Sequence, residues 1–388
     1  IRSRKERKHK VIARGDVFQN KIADKILRWM GLLPAYRLSR EGEESFANNA
    51  DTFEEVEEEL LHNGTVIIFP EGQHQDKRWL GKFSSGYLRL CFEAAEKSNF
   101  EKEIFILPVC NHYSDYFGIQ EDVIFKYGKP IPISPYYESY KTQPRRTQRK
   151  LNEEVRQQVL DLMLHVDDLE NYTAIDYLRN TYGVKYAKEH GFNPNKLPEK
   201  LLSDKELIAK LETIKQENES LLLPIYEQIL ILKEKTEQHR IKDWQFDIPY
   251  IPWKIGLLSV WFVLLSPLFL FSLIPNALVL YAPNVLTSKV KDPMFHSAIR
   301  LCTSVLFTVP LLFFLIFGLT WIFSGVFWIA LVYFLSLPAL GVFAWHYKQL
   351  WRQRKDQIKF HRLIKSNKIN DLVNIRSHIF KSLDNILK

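Results

Sequence analysis

The chain has 388 residues, 25% of them charged and 46% hydrophobic, which is the composition of a folded protein with one or two domains. Its net charge of +8 favours anionic partners, but no nucleic-acid-binding motif accompanies the basic clusters, so we predict no nucleic acid partner. Three widely spaced cysteines (Cys91, Cys110 and Cys302) form neither a disulfide framework nor a zinc site, and no metal is expected.

Strand and helix signals alternate over about residues 11–135. The apolar runs Thr65–Phe69 and Ile104–Val109 are typical of strands buried on both faces of a sheet. This alternation predicts an α/β domain. Further strands are expected at Val11–Arg14 and Val123–Tyr127, and helices at about 18–31, Thr52–Asn63 (opened by a capping box of Thr52 and Glu55) and Ser84–Ser98.

Charged helices are predicted after this domain. The pattern is helical over about residues 145–180, and residues 191–198 interrupt it. Ser203 begins a second capping box, so we expect a helix from there to about residue 235. Pro224 interrupts the apolar stripe of that helix, which disfavours a dimeric coiled coil.

Two later stretches, Ile255–Ser288 and Leu301–Tyr347, contain no Asp, Glu, Lys or Arg. Each is longer than the roughly 20 apolar residues that cross a bilayer core as a helix. Buried hairpins of a soluble core are the alternative. Basic clusters open the chain and follow Tyr347 directly, which favours anionic lipid and the cytoplasmic face of a membrane.

The basic loop between the stretches and the basic tail predict that each stretch enters and leaves on one side. Leu301–Tyr347 is long enough for two spans that turn near Ser324-Gly325. Ile255–Ser288 is too short for two full spans, so we expect a re-entrant hairpin with a non-helical turn near Pro275-Asn276, buried among the other helices. A single span is the alternative.

The tetrapeptide Phe69-Pro70-Glu71-Gly72 follows a predicted buried strand. Proline ends strand pairing because it has no N–H group, and glycine permits a tight turn. Glu71 is therefore presented at the carboxyl end of a strand, where α/β folds bind ligands, and its carboxylate can accept hydrogen bonds from a polyol. An ordinary strand-end turn is the alternative.

A second candidate is Arg37, which closes the short apolar segment Pro34-Ala35-Tyr36. Its guanidinium suits bidentate binding of a phosphate, although an ion pair with a nearby glutamate is the alternative. Lys77, Arg78 and Lys82 follow Glu71 and are expected to add positive potential for an anionic substrate.

In this order, these segments resemble the glycerol-phosphate and lysophosphatidate acyltransferase family, which is recognised by four ordered blocks. The second block corresponds to Pro34–Arg37, the third to Phe69–Gly72 with Lys82–Gly86, and the fourth to Ile104–Val109; Tyr127–Ile131 resembles the closing strand. The resemblance implies that Arg37 contacts the acceptor phosphate and that Phe69, Pro70, Glu71 and Gly72 bind its glycerol end. Lys82 is a helper, and His74 is a candidate without an assigned role.

The family's first block, a catalytic His and Asp separated by four residues, is missing. None of the eleven histidines has an Asp five positions later. His165 has Glu170 there, which we interpret as coincidence, and the spacing between His112 and Asp115 is too short. We therefore predict no catalytic residue in this chain and expect the pair upstream of Ile1; a catalytically inactive relative is the alternative.

The resemblance predicts an acyltransferase that moves a fatty acyl group from acyl-CoA or acyl-carrier protein to a glycerol-phosphate acceptor, with lysophosphatidate preferred over glycerol 3-phosphate and no cofactor. A non-catalytic lipid-binding or scaffold protein is the alternative, and a transporter is disfavoured because the apolar stretches lack charges. The expected order is an α/β acyltransferase domain (1–140), a charged helical region (141–250), a transmembrane or re-entrant region (251–350) and a basic cytoplasmic tail (351–388). We predict a multi-pass membrane protein with the acyltransferase domain on the cytoplasmic side.

Overall fold

A computed structural model describes residues 9–36, 44–72, 76–117, 121–288, 290 and 295–387. The chain forms two compact units. The first comprises Ile1–Tyr113 and Val123–Asp167, and the second comprises Ser114–Asp122 and Asp168–Lys388. All the strands of the described residues lie in the first unit, and the long apolar helices lie in the second.

The first unit combines short strands with helices, as the predicted α/β class requires. Its strands are β1 (His9–Arg14), β2 (Leu32–Ala35), β3 (Thr65–Ile67), β4 (Phe105–Ile106), β5 (Val109–Tyr113), β6 (Val123–Tyr127) and β7 (Ile131–Pro132). Its helices are α1 (Lys21–Trp29), α2 (Glu44–Leu61), α3 (Gly86–Lys97), α4 (Tyr137–Thr142) and α5 (Pro144–Leu162).

Strands β2, β1 and β3 form a parallel sheet in that order, with β1 in the middle. Val11 of β1 pairs with Leu32 on one side and with Ile67 on the other. Because all three strands run in the same direction, their carboxyl ends meet at one edge. The remaining strands form two antiparallel pairs, β4 with β7 and β5 with β6.

The prediction of strands buried on both faces is wrong in two places. Among the described residues β3 lies at a sheet edge, and Ile67 is 44% exposed and Phe69 63% exposed. The expected strand Ile104–Val109 is divided into β4 and the start of β5, and Phe105 is exposed. An apolar run shows that a segment favours extended structure, but it does not show how many neighbours cover it.

The core of the first unit forms where α3 packs between the sheets and α5. Leu88 and Phe92 of α3 are fully buried, and Phe92 stacks on Tyr140 with ring centroids 4.0 Å apart. Ile133 and Leu151 belong to the same cluster. Burying such side chains removes apolar surface from water, which stabilises the arrangement of α3, α4 and α5.

Both predicted capping boxes are wrong, because Thr52 lies in the middle of α2 and Ser203 lies inside a helix of the second unit. The Thr52 hydroxyl instead donates a hydrogen bond of 3.0 Å to the carbonyl oxygen of Pro34. The spacing of a capping box also occurs in helix interiors, where the hydroxyl is available for tertiary contacts.

Contacts with Asn49 and Gly15 fix Tyr36, the residue that follows β2. The Asn49 amide accepts a hydrogen bond from the Tyr36 N–H and donates one to the Tyr36 carbonyl, both at 2.8 Å. The Tyr36 ring lies over Gly15, where an added Cβ atom would be 2.2 Å from the ring. Tyr36 is therefore fixed between the end of β1 and helix α2.

The second unit begins with a helical bundle: α6 (Tyr172–Glu189), α7 (Leu197–Asn218), α8 (Leu223–His239) and α9 (Trp244–Asp247), completed by α14 (Asn370–Ile386). Arg179 is buried and ion-paired with Asp176 at 2.9 Å and with Asp204 at 3.0 Å. The helix predicted to reach residue 235 is two helices, since Pro224 stands in the first turn of α8.

The apolar stretches form α10 (Pro252–Thr287), α11 (His296–Cys302), α12 (Val309–Ser324) and α13 (Phe327–Lys365), with a π-helical segment at Thr303–Thr308. Gly325 has a φ of 68° and separates α12 from α13, which confirms the turn predicted near Ser324-Gly325. Pro252–Ala277 and Phe327–Lys365 are long and apolar enough to cross a membrane. Only 11% and 17% of their most apolar windows are buried, unlike the core helix of a soluble protein.

The expected non-helical turn near Pro275-Asn276 is wrong, because α10 is helical across both residues. Nevertheless α10 bends there. Its first part is antiparallel to α13: the Ser259 hydroxyl accepts a hydrogen bond from Arg354, and Asn276 donates one of 3.4 Å to the Leu337 carbonyl.

Five residues further on, the direction of pairing has reversed, since Lys348 donates a hydrogen bond of 2.9 Å to the Tyr281 hydroxyl. In a straight antiparallel pair aligned at Asn276 and Leu337, Tyr281 and Lys348 would be about 24 Å apart along the axis, farther than their side chains reach. Helix α10 therefore turns back at Asn276, beside Pro275, where the missing N–H permits a kink.

The contact between Gly15 and Tyr36 leads to a first prediction. Gly15→Ala should destabilise the protein by about 1–3 kcal/mol, because the new methyl group displaces the Tyr36 ring. Thermal unfolding in detergent should show a midpoint lowered by several degrees.

Gly86→Ala is the matched control, because the nearest atom to its added Cβ is the Ser84 Oγ at 3.6 Å. An equal loss of stability in the two variants would contradict this account of Gly15.

Candidate functional site

The candidate site lies at the carboxyl edge of the parallel sheet. Extending the register of β1 and β3 beyond Ile67 brings Pro70 level with Arg14, which itself pairs with Ala35 of β2. The chain segments that leave β2 and β3 are separated by two strand spacings, about 10 Å. Tyr36 and Glu71 therefore follow strand ends that lie on either side of β1 at the same edge.

The segment Phe69–Gly72 forms the strand-end turn that its sequence predicts. The Gly72 N–H donates to the Phe69 carbonyl at 3.1 Å, and Gly72 has a φ of 64°, which favours glycine. The Pro70 carbonyl accepts a hydrogen bond of 2.9 Å from the Ser84 N–H. This bond joins the turn to the segment that precedes α3.

Glu71 is half-buried, and its Oε2 atom accepts a hydrogen bond of 3.0 Å from the Gly81 N–H. Burial raises the pKa of the Glu71 carboxyl group, and the Gly81 hydrogen bond and the positive charge of Arg156 oppose this increase. The carboxylate is thus oriented by a backbone amide instead of being free at the surface.

Residues 76–85 form the loop that contacts Glu71, and helix α5 holds this loop. Arg156 donates hydrogen bonds to the carbonyls of Leu80 (3.2 Å) and Gly81 (3.3 Å). One turn earlier on the same helix, Asn152 donates one of 3.1 Å to the Phe83 carbonyl. No local pattern indicates this role for Asn152 and Arg156, which lie in the region that the sequence predicts to be a separate charged helical part of the chain.

His165 supports the same loop. Its Nδ1 atom accepts a hydrogen bond of 3.1 Å from the Leu80 N–H, and its Nε2 atom lies 3.7 Å from Asp167. Burial lowers the pKa of His165, with Asp167 opposing the shift and Arg156 adding to it. The spacing of His165 and Glu170 gave no indication of this role, because the contact joins residues far apart in sequence.

The sequence predicts that Arg78 adds positive potential for a substrate; the residue is 4% exposed and its side chain contacts groups inside the protein. Its guanidinium donates to the Nδ1 atom of the buried His112 at 3.3 Å and to the Tyr113 carbonyl at 3.0 Å. Arg78 therefore connects the loop to β5, and His112 is a structural partner of that arginine.

Arg37 and His74 lie outside the described residues. Tyr36, the residue before Arg37, is fixed by Asn49 as described above. Lys82 is exposed two residues before Ser84, on the segment joined to Pro70. The structure thus joins the turn Phe69–Gly72 to the segment that contains Lys82. The turn and the end of β2 lie at the same edge of the sheet.

No group of three or more His, Cys, Asp or Glu side chains suited to holding a metal ion occurs in the described part of the chain. The described site instead offers one oriented carboxylate, an exposed cation and backbone groups. These can bind hydroxyl and anionic groups of a small polar molecule.

The chain is similar in sequence to known acyltransferases. A sequence model of the Acyltransferase family matches residues 2–112. Glycerol-3-phosphate O-acyltransferase 2 of Saccharomyces cerevisiae is 27% identical over 136 residues, which are 35% of this chain and 18% of that protein. The chain thus aligns with about a fifth of its relative. No solved structure matches it.

The lowered pKa of His165 leads to a second prediction. A histidine with a lowered pKa stabilises the fold above its ordinary pKa of 6.5, and this contribution is lost as the pH falls through the lower, folded-state value. Protonation removes the acceptor for the Leu80 N–H. Hydrogen–deuterium exchange of residues 78–85, corrected for the intrinsic rate, should therefore increase below pH 6.5.

His165→Asn is the control, because an amide oxygen can accept from Leu80 without titrating in this range. Wild-type exchange that is equal at about pH 7 and about pH 5 would refute the assignment.

Proposed function

We propose that the first third of the chain, which belongs to the glycerol-phosphate acyltransferase family, binds a glycerol-phosphate acceptor for transfer of a fatty acyl group. The donor would be acyl-CoA or acyl-carrier protein. Lysophosphatidate and glycerol 3-phosphate are the candidate acceptors, and the printed name of the yeast relative gives glycerol 3-phosphate for that protein.

The observation that carries this proposal is the position of Glu71. Glu71 follows an edge strand of a parallel sheet and accepts a hydrogen bond from the Gly81 N–H. It lies about 10 Å across the sheet edge from the segment that leads into Arg37. A carboxylate has about four lone-pair sites, so Glu71 can exchange or share its partners to accept hydrogen bonds from the glycerol hydroxyls. Arg37 would bind the phosphate, so that the acceptor is held at both ends.

The reaction needs more than binding. A base must take the proton of an acceptor hydroxyl while its oxygen attacks the thioester carbon, after which the thiolate leaves. The eleven histidines of this sequence lack the family's catalytic spacing to Asp. We therefore assign to Arg37, Glu71 and Lys82 the task of orienting the acceptor, which lowers the entropic part of the barrier.

The alternative is a non-catalytic membrane protein that binds lipids with an inherited fold. Binding and turnover separate the two possibilities. A catalytic protein converts labelled acyl donor and acceptor to product, whereas the alternative binds the acceptor without turnover.

We also propose that α10, α12 and α13 are embedded in a membrane. Their apolar side chains are mostly exposed within the described unit, and lipid would cover them. The bend of α10 at Asn276 would return its end to the side on which it began. The basic residues after Tyr347 favour the cytoplasmic side for the end of the apolar region, and the bend would place both ends of α10 on that side as well.

The third prediction tests the acceptor site. In the full-length protein, Glu71→Gln and Arg37→Gln should each lower kcat/KM for glycerol 3-phosphate or lysophosphatidate by about 10- to 100-fold, because each removes a charged hydrogen-bonding group. Radiolabelled acyl transfer in detergent measures this effect.

Glu101→Gln is the matched control, since Glu101 is exposed in the same unit and should leave the rate unchanged. Full turnover by Glu71→Gln would refute the site. Acceptor binding without any turnover in the wild type would support the non-catalytic alternative.

The fourth prediction tests the bend of α10. Two variants, Ile248→Cys and Ser288→Cys, are made separately in a protein whose native cysteines are changed to Ser (Cys91, Cys110 and Cys302). Both introduced thiols should react with an impermeant reagent from the same side of sealed vesicles. Labelling from opposite sides would show that α10 crosses the membrane once.

A further inference from the structure

A basic groove lies at the start of helix α5 in the first unit, and no residue assigned to the acceptor site lines it. The groove is open and has a volume of about 1120 Å³. Its walls come from β7, the turn that follows it, α4 and the first turns of α5. This volume is at the upper end of the range for small-molecule sites, which suits a large ligand.

Three cations line the groove from successive turns of α5: Arg146, Arg149 and Lys150. No ion pair joins any of them to a carboxylate in the part of the chain that the structure describes. Arg146 donates a hydrogen bond of 3.2 Å to the Gln143 side chain, and Lys150 lies 5.9 Å from the centre of the Tyr136 ring. The amino end of a 19-residue helix adds positive potential at the same place.

The groove also contains an aromatic ring and two acceptors. Tyr136 lines it, and its hydroxyl donates a hydrogen bond to Glu154. Burial, together with this bond, raises the pKa of Tyr136 to about 12, so the hydroxyl remains protonated. Glu153 lies 3.8 Å from Arg156, one turn beyond the three cations. The three cations thus precede the two carboxylates along the helix.

We propose that this groove binds the nucleotide half of coenzyme A, as the carrier of the acyl donor. The proposal rests on the proposed function and specifies its donor. The phosphates would contact Arg146, Arg149 and Lys150, and the adenine would pack against Tyr136. Glu153 can accept hydrogen bonds from the adenine amino group or a ribose hydroxyl.

The mixture of groups favours a nucleotide over other anions. Glu153 and Glu154 lie beside the three cations and would weaken the attraction of the groove for a strongly anionic membrane surface or an acidic carrier protein. A nucleotide has donors for these carboxylates as well as phosphates for the cations.

The position of the groove on α5 fits this role. Arg149 and Arg156 are seven residues apart on one face of the helix, about 10 Å along its axis. Arg156 holds the loop that contacts Glu71. A donor whose nucleotide occupies the groove could therefore extend its thioester arm along α5 toward the acceptor loop.

Direct binding tests the proposal without requiring turnover. Free coenzyme A is titrated calorimetrically into the whole chain in detergent, with 3′-dephospho-coenzyme A as a second probe. The double variant Arg146→Gln, Arg149→Gln should bind coenzyme A about tenfold more weakly than the wild type. Removal of the 3′-phosphate should weaken binding to the wild type and have little effect on the variant.

The control is Arg145→Gln with Lys129→Gln, which removes the same charge from exposed positions that do not line the groove. It should bind coenzyme A within about twofold of the wild type. Wild-type affinity in the groove variant, or no binding to the wild type, would overturn the proposal. Loss of binding to phosphatidylglycerol vesicles with unchanged coenzyme A affinity would overturn it in favour of a lipid site.

Kinetics separate this proposal from the proposed function. The groove variant should raise KM for acyl-CoA about tenfold and leave KM for the acceptor unchanged, whereas Glu71→Gln affects the acceptor. If coenzyme A binds in the groove but no acyl transfer occurs, the proposed function fails and the groove assignment stands. If transfer occurs and the groove variant has normal affinity for acyl-CoA, only the groove assignment fails.

Discussion

The hydrogen bond between the Gly81 amide and the Glu71 carboxylate is the contact on which the candidate site depends. A carboxylate that is half-buried loses hydration, and an oriented amide replaces part of it. The amide is oriented only because Arg156, Asn152 and His165 bind the loop from α5 and the segment that follows it. The site is therefore a property of a sheet edge, a loop and a distant helix together.

Helix α5 connects the two proposed binding regions of the first unit. Its middle turns hold the acceptor loop, and its first turns carry the cations of the groove. Because a helix is rigid over this length, the separation of the two regions is set by the rise per residue. Such a common support would keep donor and acceptor at a constant distance, as a two-substrate reaction requires.

The proposed membrane location of the apolar helices in the second unit would impose a different constraint. In lipid every backbone polar group needs an internal partner, so a chain that reverses direction there cannot easily leave the helical conformation. In the proposed membrane arrangement, helix α10 would meet this constraint, because it bends at Pro275 while remaining helical and the Asn276 side chain donates to the Leu337 carbonyl of α13. The predicted location of the reversal agrees with the contacts, but the predicted non-helical turn does not.

The sequence by itself determined the local features: the strand at Val11–Arg14, the turn at Phe69–Gly72, the turn at Gly325 and the apolar stretches, with the family resemblance. These follow from neighbouring residues, since periodicity, proline and glycine act over a few positions. Only the tertiary structure decided that β3 lies at an edge of the described sheet, that Arg78 is buried against His112, and that Arg156 and His165 hold the Glu71 loop. Those contacts join residues far apart in the chain, and no local pattern records which distant groups will satisfy a backbone amide or carbonyl.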